Sequence, residues 1–134
     1  MEKGQKRKIL IVDDDSFLLD MYALKFNQNN FAVYTAENGV QAIEKLKGGL
    51  APDAFLVDII MPEMDGFEML EKINTEKLSP NSIKIILSNK SDQADVDRGT
   101  ALGVAGYIIK ANSTPLEVVN EVVNILAKQI SIPK

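Results

Sequence analysis

Short apolar runs alternate with longer amphipathic stretches along this chain, and each pair of them predicts a strand followed by a helix. Residues 8–12 are apolar nearly throughout, as a central strand would be, and stop at Asp13-Asp14-Asp15-Ser16. Asp15 or Ser16 is placed to cap a helix reaching about Gln28, with Leu18, Leu19, Tyr22 and Phe26 at helical spacing. A second strand covers 31–36, and its polar neighbours suit a sheet edge. Asn38-Gly39 opens a second helix, with Val40, Ile43 and Leu46 on one face and Gly48-Gly49 closing it. Phe55-Leu-Val57 reads as a strand buried on both faces, and a lone carboxylate, Asp58, stands at its end. Pro62 and Gly66 then shape a loop into a helix over 66–76 that turns Phe67, Leu70 and Ile73 inward. A fourth strand over 83–87 ends at Ser88-Asn89, and a thinly apolar, lightly anchored helix is expected over 91–102. Gly103 and Gly106 flank a turn into Tyr107-Ile-Ile109, the last strand, which ends at Lys110. Thr114 caps the final helix with Pro115 in its first turn, and its expected stripe is Leu116, Val119, Val123 and Leu126.

The connections are too long for hairpins, so successive strands must join by right-handed crossovers. The expected fold is one α/β domain over 8–128: a three-layer (βα)5, doubly wound parallel sheet with helices on both faces. A basic tail, 1–7, precedes it and a short tail, 129–134, follows. With 134 residues and 46% hydrophobic content, there is material for a single core. No apolar run is long enough to span a membrane, and no signal-peptide core follows the basic start, so a cytoplasmic location is expected.

Composition narrows the chemistry. The chain has no cysteine and no histidine, which removes thiolate and imidazole metal sites, Ser-His-Asp catalysis and phosphohistidine formation on the chain itself. A net charge of -4 argues against a nucleic-acid-binding face. Carboxylates, hydroxyls and lysines remain, a set suited to a hard, oxygen-liganded cation such as Mg2+.

The distinctive polar residues fall at the C-terminal ends of the expected strands: Asp13 and Asp14, Asp58, Ser88 and Lys110. In an open parallel sheet that edge is where ligands bind. Each residue has a plainer reading, as a helix cap, a strand-end hydroxyl or a surface lysine, and the case rests on their appearing together. Carboxylates gathered in one crevice repel one another unless a cation joins them. Phosphoryl transfer to a carboxylate suits the set, with Asp58 as nucleophile and Asp13 and Asp14 holding Mg2+. The Ser88 hydroxyl and Lys110 ammonium would take phosphoryl oxygens. No glycine-rich nucleotide loop is present, so the donor would be a partner protein or a small phosphodonor.

The stretches Ile9-Leu-Ile-Val-Asp-Asp-Asp15, Asp58-Ile-Ile-Met-Pro-Glu-Met-Asp-Gly66, Ile86-Leu-Ser88 and Gly106-Tyr-Ile-Ile-Lys110, in that order, resemble the receiver domain of two-component response regulators. The resemblance covers nearly the whole chain and implies a flavodoxin-like strand order, 2-1-3-4-5. It implies phosphorylation of Asp58 by a sensor histidine kinase or phosphotransfer protein, with Mg2+ or Mn2+ held directly by Asp14, Asp58 and the Ile60 carbonyl. Asp13 would act largely through water. The implied activity is confined to the domain's own phosphorylation and dephosphorylation. Ser88 and Tyr107 would form a switch that remodels the face of the fourth helix, last strand and last helix, where a downstream target or output domain docks.

Two positions depart from the family pattern. Alanine, Ala111, follows the lysine where the family usually has proline with a cis bond. A cis bond to alanine costs about 3–4 kcal/mol, so a trans bond is expected. Ile60, two residues after the acceptor, has no side chain to orient an attacking water, so a long-lived phosphoryl group is expected. A phosphorylation-independent pseudo-receiver and a flavodoxin-like cofactor binder are the competing readings. The first conflicts with the intact acidic and basic set, the second with the missing phosphate loop. Cognate kinase, target, phosphorylation-dependent dimerisation and any further domain are not legible in these residues.

Overall fold

Five parallel strands form one sheet in which the strands, numbered in chain order, lie 2-1-3-4-5, the order the resemblance implied. The computed structural model describes residues 6–130. The strands are β1 (Arg7–Val12), β2 (Phe31–Ala36), β3 (Ala54–Val57), β4 (Ile83–Ser88) and β5 (Gly106–Ile109). Between and after them run α1 (Ser16–Gln28), α2 (Gly39–Lys47), α3 (Gly66–Glu76), α4 (Gln93–Ala101) and α5 (Pro115–Ile130), and a single 3-10 turn, Lys110–Asn112, follows β5. The expected tails fall partly outside the described residues. Within the described ones β1 takes in Arg7, and α5 carries the backbone on to Ile130.

Alternation along the strands divides the core into two halves, because successive side chains point to opposite faces. Ile9, Ile11, Leu56, Ile85 and Leu87 pack with α1 and α5 through Leu19, Tyr22, Phe26, Val118, Val122 and Leu126. Leu10, Val12, Phe55, Val57 and Ile86 pack with α2 and α3 through Ile43, Leu46, Phe67, Leu70 and Ile73. Burying most of these side chains is favourable by about 1.5–3 kcal/mol each. β1, β3 and β4 are covered on both sides, which explains their near-continuous apolar runs, and β2 lies at the edge as its polar residues require.

Local signals define the helix starts. The Asp15 carboxylate accepts from the Phe17 and Leu18 amides, and Asn38 accepts from Gln41. Asp65 with Glu68, and Thr114 with Glu117, each bond reciprocally as capping boxes. Two stripes differ from expectation. In α5 the buried residues are Val118, Val119, Val122, Ile125 and Leu126, whereas Leu116 and Val123 are exposed. Val40 is likewise exposed, and Gly39 and Ala42 take the inner face of α2 beside Ile43 and Leu46. Two overlapping helical stripes fit these sequences, and the rotation of each helix on the sheet chooses between them.

The fourth helix is as lightly anchored as its composition suggests. Gly99 is its one buried residue, and its N-cap, Asp92, makes no side-chain capping bond. Polar clasps to α3 hold it: the Arg98 guanidinium lies 4.5 Å from the Phe67 ring centroid and bonds Glu71 at 3.0 Å, and the Asn74 amide donates to the Leu102 carbonyl at 2.9 Å. Such exposed polar contacts contribute little stability each.

Candidate functional site

The parallel sheet delivers its C-terminal strand ends to one edge. The ladder extends one step past β1 and β3, with the Asp13 amide donating to the Ala36 carbonyl at 3.1 Å and the Asp58 amide to the Val12 carbonyl at 3.0 Å. Both carboxylates are thereby held in extended backbone, and both are buried. Behind Asp58 the loop folds back, and the Gly66 amide donates to the Ile59 carbonyl at 2.8 Å. A Cβ at Gly66 would lie 2.3 Å from the Asp58 carbonyl oxygen, so only glycine lets α3 begin this close to the strand end.

Carboxylate oxygens of Asp13, Asp14 and Asp58 lie within 4.8 Å of one another, two of the residues buried and Asp14 exposed. Lys110 enters from β5, its ammonium 2.7 Å from Asp13 Oδ2 and 2.9 Å from Asp58 Oδ2. Burial pushes the Asp13 carboxyl above its ordinary range, against the pull of the Lys110 hydrogen bond. For Lys110, burial pulls downward, but the hydrogen bonds and charges of Asp13 and Asp58 outweigh it and raise its pKa. Three carboxylates against one ammonium leave two negative charges in the crevice. An all-oxygen donor set with that residual charge fits a hard divalent cation, and the remaining contact of the Asp58 carboxylate is modest: its Oδ1 accepts from the Ile60 amide at 3.3 Å.

Ser88 is fully buried at the end of β4, where its Oγ accepts from the Lys90 amide at 3.3 Å. Tyr107, half-buried on β5, donates its hydroxyl to the Lys90 carbonyl. Ser88 and Tyr107, the two residues expected to form a switch, therefore meet at one residue of the β4–α4 loop, a link with no signal in the sequence because both bonds use the Lys90 backbone. No cis peptide bond occurs among the described residues, so Lys110–Ala111 is trans as expected. Instead of a proline ring, this chain has an amide at Ala111, which donates to Asn89 Oδ1 at 2.7 Å. Sequence reasoning gave Asn89 no role. The sequence held no signal for it beyond Ala111 itself, whose amide is a donor that proline would lack.

The family model described as the response regulator receiver domain matches residues 9–122. The chain belongs to this family. The receiver is 35% identical over 130 residues to the transcriptional regulatory protein ResD of Bacillus subtilis, spanning 96% of this chain but 51% of that protein. It is 36% identical over 120 residues to the chemotaxis protein CheY of the same organism, covering 87% of this chain and 98% of CheY. The receiver thus spans about half the length of the first relative and nearly all of the second. Among solved structures it is similar to a CheY-like receiver domain protein from Methanospirillum hungatei, with TM-score 0.84 and 26% identity over 93% of this chain and 97% of that one.

Receivers of this family are signalling domains of two-component systems that bind Mg2+ at an acidic pocket and interact with histidine kinases and output targets. In this receiver Asp13, Asp14 and Asp58 form an acidic group that could hold a metal ion. No helix among the described residues is long and apolar enough to cross a membrane.

Proposed function

We propose that this receiver accepts a phosphoryl group on Asp58 from a sensor histidine kinase or phosphotransfer protein, in a reaction requiring Mg2+ or Mn2+. The modified site then resets the face formed by α4, β5 and α5 for a downstream protein or an output domain. The observation that carries this reading is the Lys110 ammonium bonded to both Asp58 and Asp13 beside a further carboxylate, Asp14.

The chemistry follows from the donor set. A carboxylate oxygen of Asp58 attacks the donor's phosphorus, a new P–O bond forms, and the donor's bond to phosphorus breaks with its electron pair leaving on the donor. Asp14, Asp58 and the Ile60 carbonyl would hold the cation directly and Asp13 largely through water. When bound, the cation supplies neutralising charge and an anchor for a phosphoryl oxygen. Lys110 takes a second oxygen, and the Ser88 hydroxyl moves toward a third. That movement would take the acceptor away from the Lys90 amide and disturb the loop that holds the Tyr107 hydroxyl. Tyr107 then turns inward and α4, held mainly by polar clasps, shifts. The domain catalyses only its own phosphorylation and dephosphorylation. We place it in the cytoplasm without direct contact to nucleic acid or membrane, a reading supported by the net charge of -4.

Incubation with acetyl phosphate and Mg2+, read by intact mass, tests the assignment. The expected result is one added phosphoryl group, absent with EDTA and absent in Asp58→Asn. No gain in the wild type, or an undiminished gain in Asp58→Asn, refutes it. A second expectation concerns lifetime. Ile60 is 61% exposed, and its side chain offers no polar group to an incoming water. The phosphoryl group should therefore persist for minutes after the donor is removed, and decay within seconds counts against this role of Ile60.

A further inference from the structure

We propose that Asn89 is a positioning residue for Lys110: its side-chain carbonyl holds the Ala111 amide and so fixes the backbone from which the lysine reaches Asp58 and Asp13. The inference rests on the Asp58 phosphoacceptor reading for its kinetic consequence, but its geometry stands apart from it. Regular pairing of β4 with β5 ends at Ser88 opposite Ile109. One residue beyond on each strand lie Asn89 and Lys110, and the next amide, that of Ala111, is bonded to Asn89 Oδ1 at 2.7 Å. A side chain thus continues the ladder where the main chain leaves off. The amide orientation follows from chemistry, because an N–H donor must face the oxygen and not the nitrogen of the Asn89 side chain.

This bond matters because of what precedes and follows it. Lys110 begins the 3-10 turn Lys110–Asn112, whose first amides have no partner within the turn. The lysine stem has four flexible methylenes, yet its ammonium must sit between two carboxylates at 2.7 and 2.9 Å. The direction in which the backbone launches that stem limits which ammonium positions it samples. A proline at 111 would impose φ near -65° through its ring. Alanine imposes no such restraint and brings a donor that proline lacks, and Asn89 uses that donor to restrain the same turn. Asn89 also follows Ser88 directly, so the hydroxyl and the lysine are held by adjacent residues of one link.

The test compares wild type, Asn89→Ala, Ala111→Pro and the double variant, all as the full chain. Phosphorylation by acetyl phosphate at saturating Mg2+ gives the rate, calorimetric titration the Mg2+ affinity, and 15N NMR the Ala111 amide exchange and the Lys110 ammonium signal. Asn89→Ala is expected to slow phosphorylation about two- to tenfold, the range of one hydrogen bond. Its Mg2+ affinity should stay within about twofold, since no proposed ligand is touched. Asn89→Asp keeps the acceptor and should recover most of the rate, although its added charge opposes an incoming phosphoryl group. In the Ala111→Pro background, where the donor is gone, Asn89→Ala should have no further effect.

An unchanged rate in Asn89→Ala, or an equal loss in both backgrounds, overturns the proposal. If Ala111→Pro does not fold, the Lys110 ammonium signal decides: a shift in Asn89→Ala supports positioning, and an unchanged signal refutes it. If the wild type gains no phosphoryl group, the Asp58 reading fails by itself, and the same signal still decides on Asn89.

Discussion

Replacing Lys110 with alanine should slow phosphorylation about a hundredfold or more while making the domain more dependent on Mg2+ for stability. The rate loss follows from removing a preorganised cation that would face the transferred group, where one such donor contributes about 10²–10³ in rate. The stability effect follows from the pairings. Lys110 lies 2.7 Å from Asp13, which is 2% exposed, and 2.9 Å from Asp58. Removing one member of a buried ion pair leaves an uncompensated charge and costs about 3–5 kcal/mol. In EDTA, urea denaturation of Lys110→Ala should therefore show a loss of about 3 kcal/mol, since the ammonium keeps some solvent contact. Added Mg2+ should return much of it, because the cation supplies the charge that the lysine did. Equal Mg2+ stabilisation of variant and wild type is the outcome that would count against Lys110 as the counter-charge of the crevice.

Gly66→Ala should be the most damaging single-methyl change near the site. Its added Cβ meets the Asp58 carbonyl oxygen at 2.3 Å and the Ile59 Cα at 2.9 Å, and both neighbours are backbone, so no rotamer change relieves the overlap. Alanine favours helix over glycine by about 1 kcal/mol, and this gain opposes the clash. Overpacking of this kind costs about 1–3 kcal/mol or more, and an overlap approaching an ångström sits at the upper end. The clash wins, with an expected net loss of about 2 kcal/mol by chemical denaturation. Relief by shifting the strand end would displace Asp58 itself, and misplacing a reacting group by about 1 Å can cost about a hundredfold in rate. The acetyl phosphate reaction of Gly66→Ala should therefore be slowed far beyond what its stability loss explains. A wild-type rate would show that the start of α3 yields and Asp58 stays.

Much of this receiver was determined by local pattern. Alternating apolar runs and amphipathic stretches defined the five strands and five helices, and residue chemistry marked Asp15, Asn38 and Thr114 beside their helix starts. The candidate residues Asp13, Asp14, Asp58, Ser88 and Lys110 could be assigned to one edge of the sheet because a parallel sheet must bring its strand ends together there. What remained for the tertiary structure were choices the local chain leaves degenerate. Val122 and Ile125, not Leu116 and Val123, face the core because packing on the sheet sets the rotation of α5, and two apolar stripes overlap there. Lys90 joins Ser88 to Tyr107 through main-chain groups that carry no residue signature. Asn89 meets Ala111 across 22 residues, and the pairing exists only once β4 and β5 lie side by side. Composition and spacing settle which groups reach the edge of the sheet, whereas their partners there depend on distances that only the packed chain creates.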